Sequence, residues 1–220
     1  ITASISSTTP VSCFGLSDGS ATVDVTGGAL PYGYSWSNGQ TSATASNLSA
    51  GSYSVTITDG KGCTESDNTV ITEPAVLSAT MGSPSTVSCN GGNNGSVTVT
   101  GSGGTEATDY TYSWNTTPVQ TTATATNLAA GDYSVTIKDD NNCTAIAGPI
   151  SISEPIALSA SIGISSMVSC NGGNSGSATV TSSGGTAATD YTYSWKTTPV
   201  QTTATASNLV AGSYSVTSTD

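Results

Sequence analysis

The sequence has no histidine, no arginine and only three lysines in 220 residues. Without an imidazole, the usual acyl-transfer triad has no general base. A carboxylate pair held about 5–10 Å apart is the remaining hydrolytic route, and the acidic residues do not recur as such a pair. Asp109 and Asp190 have no counterpart near Tyr32, and Ala187 stands where Glu106 leads one to expect a second glutamate. The expectation is a protein that is not an enzyme, with no catalytic residues, no metal site and no cofactor. Cation scarcity excludes a second class: at a net charge of −11 the chain lacks the basic footprint that nucleic acid or anionic lipid demands. Long apolar runs are also missing, so neither a signal peptide nor a membrane-inserted segment is expected within these residues. Only 8% of residues are charged, which separates the chain from acidic disordered tails.

What is present is a unit written three times. A Tyr-x-Tyr-x-Trp strand occurs at residues 32–36, 110–114 and 191–195, and both Trp195 and Cys170 lie 81 residues after Trp114 and Cys89. Trp114 follows Trp36 by 78, a deficit placed in two shortened loops, at residues 28–31 and 37–40. The expected domains are residues 1–74, 75–155 and 156–220, the third incomplete. By the spacing of Tyr53 to Cys63 and Tyr133 to Cys143, a sixth cysteine would fall about four residues past Asp220. Ile1 aligns with Leu77, inside a strand prefaced elsewhere by Glu73-Pro74 and Glu154-Pro155, so the chain reads as a segment of something longer.

Within the second copy, residues 76–81, 95–100, 110–114, 121–128, 132–137 and 146–152 alternate apolar and polar with period two, as strands do. Residues 91–95, 103–104, 129–131 and 139–142 are Gly-, Asn- and Asp-rich turns. Short strands at this density, with no helical period, predict an all-β chain of tandem immunoglobulin-like β-sandwich domains forming an elongated rod. The Glu-Pro junctions leave little slack, and each domain adds roughly 30–40 Å if strands of eight to ten residues lie near the long axis.

The aromatic residues divide evenly among the copies, leaving only Phe14 over. Tyr34, Trp36, Tyr53, Tyr112, Trp114, Tyr133, Tyr193, Trp195 and Tyr214 are the expected aromatic core, because a domain this small needs its aromatic area inside. The competing reading makes the first tyrosine of each trio, Tyr32, Tyr110 and Tyr191, a stacking platform for sugar.

Several ordered motifs carry a resemblance over essentially the whole chain. They are Cys-Asn-Gly-Gly-Asn-x-Gly-Ser at 89–96 and, with Ser175 in the variable place, 170–177; Gly-Gly at 103–104 and 184–185; Tyr-x-Tyr-x-Trp; Asn-Leu-x-Ala-Gly-x-Tyr-Ser-Val-Thr at 127–136, matched at 208–217; Asp-x-x-x-Cys at 139–143; and Glu-Pro. The first copy departs only in Cys13-Phe14-Gly15-Leu16-Ser17-Asp18-Gly19-Ser20. Together they resemble the SprB-type repeat of gliding Bacteroidetes. That resemblance implies a stalk segment of a long cell-surface adhesin filament, exported by the type 9 system and serving surface attachment and gliding. Its partners are then neighbouring domains of the same chain and a surface polysaccharide or solid substratum. The alternatives are an accessory or glycan-binding tandem module of a large secreted enzyme, and a subunit of a self-assembling surface fibre.

Calcium is the metal candidate to weigh, at the Asp18 turn and at the recurring Asp59, Asp139, Asp220, Glu73 and Glu154. Asn94 and Ser175 replace Asp18, and one carboxylate per turn is more simply a turn cap. A repeated Lys-Asn crosslink is excluded because Lys138 aligns with Thr58 and Thr219, and the Thr122, Thr124, Thr126 row is too small for an ice-binding array.

Cys13, Cys63, Cys89, Cys143 and Cys170 are expected to be structural disulfide positions, consistent with an extracellular, cell-surface setting. Two pairings are open. Cys13 with Cys63 and Cys89 with Cys143 would each close a loop within one copy, the commoner arrangement and the one slightly favoured. In an immunoglobulin-like topology those sulfurs lie at opposite poles, and Cys13 would instead meet Cys143 across the junction.

Overall fold

The computed structural model describes residues 1–105, 109–186 and 190–220, together with the backbone but not the side chain of Ile164; Glu106 and Ala187 lie outside the described residues. All regular structure among them is β. The first copy holds β1 (Thr2–Thr9), β2 (Gly19–Thr26), β3 (Gly33–Trp36), β4 (Thr44–Leu48), β5 (Gly51–Thr58) and β6 (Thr64–Ile71). The second holds β7 (Ala75–Met81), β8 (Gly95–Gly104), β9 (Thr111–Trp114), β10 (Thr124–Leu128), β11 (Gly131–Lys138) and β12 (Thr144–Ile152). The third holds β13 (Ile156–Ser166), β14 (Gly176–Gly185), β15 (Thr192–Trp195), β16 (Thr205–Leu209) and β17 (Val216–Thr219).

The sheets have one plan. Strand orders β1-β2-β4 and β3-β5-β6 recur as β7-β8-β10 and β9-β11-β12, then as β13-β14-β16 and β15-β17. First, second and fourth strands on one sheet, with third, fifth and sixth on the other, form an immunoglobulin-like sandwich. Period-two patterning produces it. Along β2 the buried residues Gly19, Ala21 and Val23 alternate with more exposed Ser20, Thr22 and Asp24, so one face meets the opposite sheet and the other meets water. On the outer face hydroxyls pair across strands, as in Thr22 with Thr44 at 3.0 Å and Thr179 with Thr205 at 2.9 Å.

By contacts the chain divides into two units. One is Ile1–Gly82 with Thr98–Ala123 and Tyr133–Pro149; the other is Ser83–Val97 with Thr124–Asp132 and Ile150–Asp220. Each contains one copy-to-copy junction, Glu73-Pro74 in the first unit and Glu154-Pro155 in the second. A core of the first unit gathers Val11, Ala21, Val23, Trp36, Ala45, Leu48, Val55, Ile57 and Ile71. A core of the second unit gathers Ala178, Val180, Trp195, Ala206 and Leu209.

Strand expectations for the second copy differ from the structure in two places. Residues 121–123 precede β10 rather than belonging to it, and Gly103 and Gly104, expected as a turn, form the end of β8. There Gly104 opposes Ala75, and the register shifts between Ala75 and Ser78. Both glycines have φ of 76°, so the ladder carries an irregularity that a sequence pattern reads as a break.

Candidate functional site at the copy-to-copy junction

The expected core aromatics fall into two groups. Trp36, Trp114 and Trp195 are almost wholly buried, and their indole N–H groups donate to Ser42 O at 2.8 Å, Thr122 O at 2.9 Å and Thr203 O at 2.9 Å. Each ring thus reaches the interior without leaving its one donor unpaired. Tyr34, Tyr53, Tyr112, Tyr133, Tyr193 and Tyr214 are half-buried. Tyr34 and Tyr53 pack against the first unit's core, and Tyr193 and Tyr214 against the core around Trp195.

The candidate sugar platform is tied down. The Tyr32 hydroxyl donates to Gly27 O, the Tyr110 hydroxyl to Gly103 O at 2.9 Å and the Tyr191 hydroxyl to Gly184 O at 2.8 Å. These bonds fasten the Gly-Gly segment of each copy to its aromatic strand.

A carboxylate fastens the same segment from the other side. Asp59 Oδ2 accepts from Ala29 N at 3.1 Å, while its Oδ1 accepts from Lys61 N and Cys63 N, both at 2.9 Å. Asp139 Oδ2 accepts from Thr105 N at 2.9 Å, and its Oδ1 from Asn141 N at 3.0 Å and Cys143 N at 2.9 Å. Asp220 Oδ2 accepts from Thr186 N at 2.5 Å and Thr186 Oγ1 at 3.0 Å. The sequence reading found the turn cap but missed the long-range half of the contact. Its only signal was recurrence of an aspartate opposite a Gly-Gly pair.

These bonds favour the ionised form and hold the carboxyls below their ordinary value of 3.8. At Asp59 the Ala29 N–H is the leading cause, followed by that of Cys63. At Asp139 burial pushes the other way and is outweighed by donors from Thr105, Cys143 and Asn141. At Asp220 the Thr186 N–H leads, followed by its hydroxyl. Each group therefore binds its proton less readily folded than unfolded. The stability it contributes is complete above the unfolded value near 3.8 and disappears as pH falls through the lower folded value. Urea midpoints measured from pH 6 downward are expected to hold until about pH 4 and then fall. Asp139→Asn should flatten part of that fall.

Gly104 makes room for the pin. A Cβ there would lie 2.6 Å from Asp139 Oδ2, at a φ of +76°. Gly91 has a similar φ of +73° but nothing within 4 Å. Gly91→Ala is expected to cost about 1 kcal/mol, the backbone penalty alone, and Gly104→Ala about 3 kcal/mol, because the carboxylate must also move. Urea unfolding of the two variants in parallel measures the difference.

In the first copy the loop bearing the first cysteine lies at the opposite pole from the Asp59 turn. Val11 N donates to Thr72 O and Val87 N to Ser153 O, both at 2.9 Å, bringing each loop to the end of its copy's last strand. Asp18 Oδ1 caps Ser12 N at 3.0 Å, Asn94 Oδ1 caps Ser88 N at 2.9 Å and Ser175 Oγ caps Ser169 N at 3.0 Å. Three different residues serve there because the position needs only an acceptor. At Asp18 the Ser12 hydroxyl, then the Ser12 N–H, lowers the carboxyl pKa. The junction glutamates join the same loops: Glu73 Oε2 accepts from Gly15 N and Glu154 Oε2 from Gly91 N, both at 2.7 Å. Among the described residues no group of three or more His, Cys, Asp or Glu converges as a metal site would require.

The cysteines decide what the junction is. Cys13 is bonded to Cys143, with Cα atoms 5.7 Å apart and 130 residues between them in sequence. Asn141 Nδ2 donates to Ser12 O at 2.9 Å beside the bond. Pairing within a copy, the arrangement slightly favoured from sequence, is therefore corrected: Cys63 and Cys89 are free and exposed, as is Cys170. Eight-residue β6 separates Cys63 from the pole that carries Cys13, a rise of about 25 Å, far beyond the Cα separation that a disulfide spans.

A family model described as SprB repeat matches residues 5–41, 82–118 and 164–199, together half of the chain. The chain belongs to the SprB repeat family. No curated protein matches it. Among solved structures, the SprB repeat chain is similar to three N-terminal domains of the bacteriophage RB49 Highly Immunogenic Outer Capsid protein, at 19% identity and a TM-score of 0.44, covering 88% of this chain and 74% of that one. It is also similar to a tetra-tandem repeat from the extending region of a large adhesion protein, at 14% identity and a TM-score of 0.27, covering 99% and 64%. An eight-domain fragment of Down Syndrome Cell Adhesion Molecule matches at 16% identity and a TM-score of 0.30, covering 76% and 25%.

Proposed function

We propose that this SprB repeat chain is a non-catalytic stalk segment of a long cell-surface adhesin filament, built from modules at residues 1–74, 75–155 and 156–220 and serving attachment and gliding. The observation that carries the reading is the Cys13–Cys143 bond, which joins the first-cysteine loop of the first copy to the 139–143 turn of the second. Tension applied along the chain passes through that covalent bond as well as through Glu73-Pro74, so the junction transmits force without unfolding either copy. An acidic, hydroxyl-rich exterior with paired serines and threonines suits an extracellular fibre that must stay soluble and unaggregated. Neighbouring copies are its partners within the chain, and a surface polysaccharide or solid substratum is what the parent filament grips.

Live-cell imaging with a labelled antibody raised against residues 75–155 tests this. The label is expected to travel along the cell body and to stop when the proton-motive force is collapsed. A static label, or label released into the medium, would overturn the gliding role in favour of a passive fibre or an enzyme's accessory module.

A further inference from the structure

We infer that Asn90-Gly91 is a self-modification site, at which Glu154 carries a proton while the Asn90 carboxamide closes on Gly91 N, loses ammonia and ends as aspartate or isoaspartate. This property goes beyond the stalk reading and does not depend on it.

The reacting groups already share one partner. Asn90 and Gly91 are the central residues of a turn closed by Gly92 N, which donates to Cys89 O at 2.9 Å. Glu154 grips that turn with both oxygens: Oε2 accepts from Gly91 N at 2.7 Å and Oε1 from Asn90 Nδ2 at 3.0 Å. One carboxylate therefore touches both the nitrogen that attacks and the nitrogen that leaves. Gly91 has a φ of +73° and nothing within 4 Å of the place a Cβ would take, so no side chain crowds the imide ring that must form. Asn90 and Gly91 are exposed, which gives water access to that ring.

Two other turns separate the contributions. In the first copy Glu73 Oε2 accepts from Gly15 N at the same 2.7 Å, but Phe14 stands in place of the asparagine. There the contact pins a loop and has no carboxamide to act on. Asn38-Gly39 is the complementary case. Its Gly39 N donates to Trp36 O at 2.9 Å and its Asn38 Oδ1 accepts from Gln40 N at 3.2 Å. Among the described residues no carboxylate bonds either Asn38 Nδ2 or Gly39 N.

The step balances without an added reagent other than water. Gly91 N gives its proton to Glu154 Oε2 and attacks Asn90 Cγ, forming the N–C bond of a succinimide. The Cγ–Nδ2 bond breaks, and Nδ2 takes the proton from Glu154 and leaves as ammonia with the bonding pair. Glu154 ends as the carboxylate it was. Water then adds to one imide carbonyl, and a proton returns to the Gly91 nitrogen as that C–N bond breaks. Opening at Cγ produces aspartate at position 90, and opening at the main-chain carbonyl produces isoaspartate.

The product changes the junction between the second and third copies. Asn90 Nδ2 also donates to Pro155 O at 3.1 Å, so the unmodified side chain ties its loop to Glu154-Pro155. A carboxylate at position 90 has no proton to donate to either acceptor, and it meets Glu154 with like charge. The conversion is irreversible, so the loop loosens from the junction as the chain ages.

The test stores the purified 1–220 chain near neutral pH, folded or in denaturing urea. Peptide mapping and an isoaspartyl methyltransferase assay follow positions 38 and 90. In the folded chain Asn90 is expected to convert at least about tenfold faster than Asn38, a gain within reach of a positioned proton carrier. In urea the two rates should converge, because both asparagines then have only a following glycine to react with. Glu154→Gln keeps an acceptor for Gly91 N without the basicity, and with unchanged circular dichroism it should slow Asn90 about tenfold. An Asn90 rate unchanged or raised by Glu154→Gln would mean that Glu154 guards the amide, and would overturn the inference. Should that variant not fold, the parent chain decides alone: Asn90 converting no faster folded than in urea overturns the inference equally.

Discussion

Replacing both Cys13 and Cys143 with serine is expected to lower the unfolding free energy of the first unit by about 5 kcal/mol. The bond closes a loop of 130 residues, and the chain-entropy model gives roughly that value for so long a loop. The effect should be confined to the junction's own cysteines. Changing Cys89 and Cys170 to serine in the same chain should leave the urea midpoint within about 0.5 kcal/mol of the parent, the range of substitutions that break no contact. Reduction by a strong dithiol should reproduce the double serine variant. A midpoint unaffected by both treatments would mean that the bond adds nothing the noncovalent junction does not already supply. Under force the consequence is different in kind: the intact bond keeps the first-cysteine loop of one copy against the 139–143 turn of the next, and reduction releases an extension at the junction before either sandwich opens. Single-molecule pulling with and without reductant distinguishes these states.

Trp114→Ala should cost about 3–5 kcal/mol, the range for removing a buried large aromatic. The ring is 1% exposed, and its strand neighbour Val135, the cross-strand partner of Trp114, is buried as well. Truncation removes the ring and also leaves Thr122 O without the indole donor, so the penalty combines a cavity with a lost hydrogen bond. Trp114→Phe refills most of the volume but not the bond and should recover about half the loss. Tyr112→Ala, on the same face but half-buried, should cost about 2 kcal/mol, since less apolar area leaves water to begin with. Chemical denaturation of the three variants orders them, and a Tyr112 effect equal to that of Trp114 would contradict the division of the aromatic face into a buried tryptophan and half-buried tyrosines.

Much of the fold was legible because strand patterning is local. The period-two runs at 76–81, 95–100, 132–137 and 146–152 each fall on a strand of the structure within a few residues, and the aromatic alternation in Tyr110-Thr111-Tyr112-Ser113-Trp114 correctly placed tryptophan inward. Gly103 and Gly104 were misread because glycine signals a turn by its conformational freedom whether or not a ladder continues through it. The long-range bonds of Asp59 and Asp139 to Ala29 and Thr105 had no local signature: their partners are backbone N–H groups 30 and 34 residues away, and a backbone N–H has no letter in the sequence. The junction glutamates were visible as a recurring Glu-Pro pair, but what Glu154 accepts is the Gly91 N–H, 63 residues before it.

By itself the sequence determined the repeat, the all-β sandwich plan, the inward tryptophans and membership of the SprB repeat family, because each depends on residue types at short or regular spacing. Only the tertiary structure decided which cysteines meet. Spacing within a copy makes Cys13 and Cys63 partners as readily as Cys13 and Cys143. The sandwich places the first pair at opposite poles and brings the second pair to a Cα separation of 5.7 Å. A disulfide is set by distance in space, and here the run of β6 carries the sequence-near cysteine away while the junction folds the distant one back.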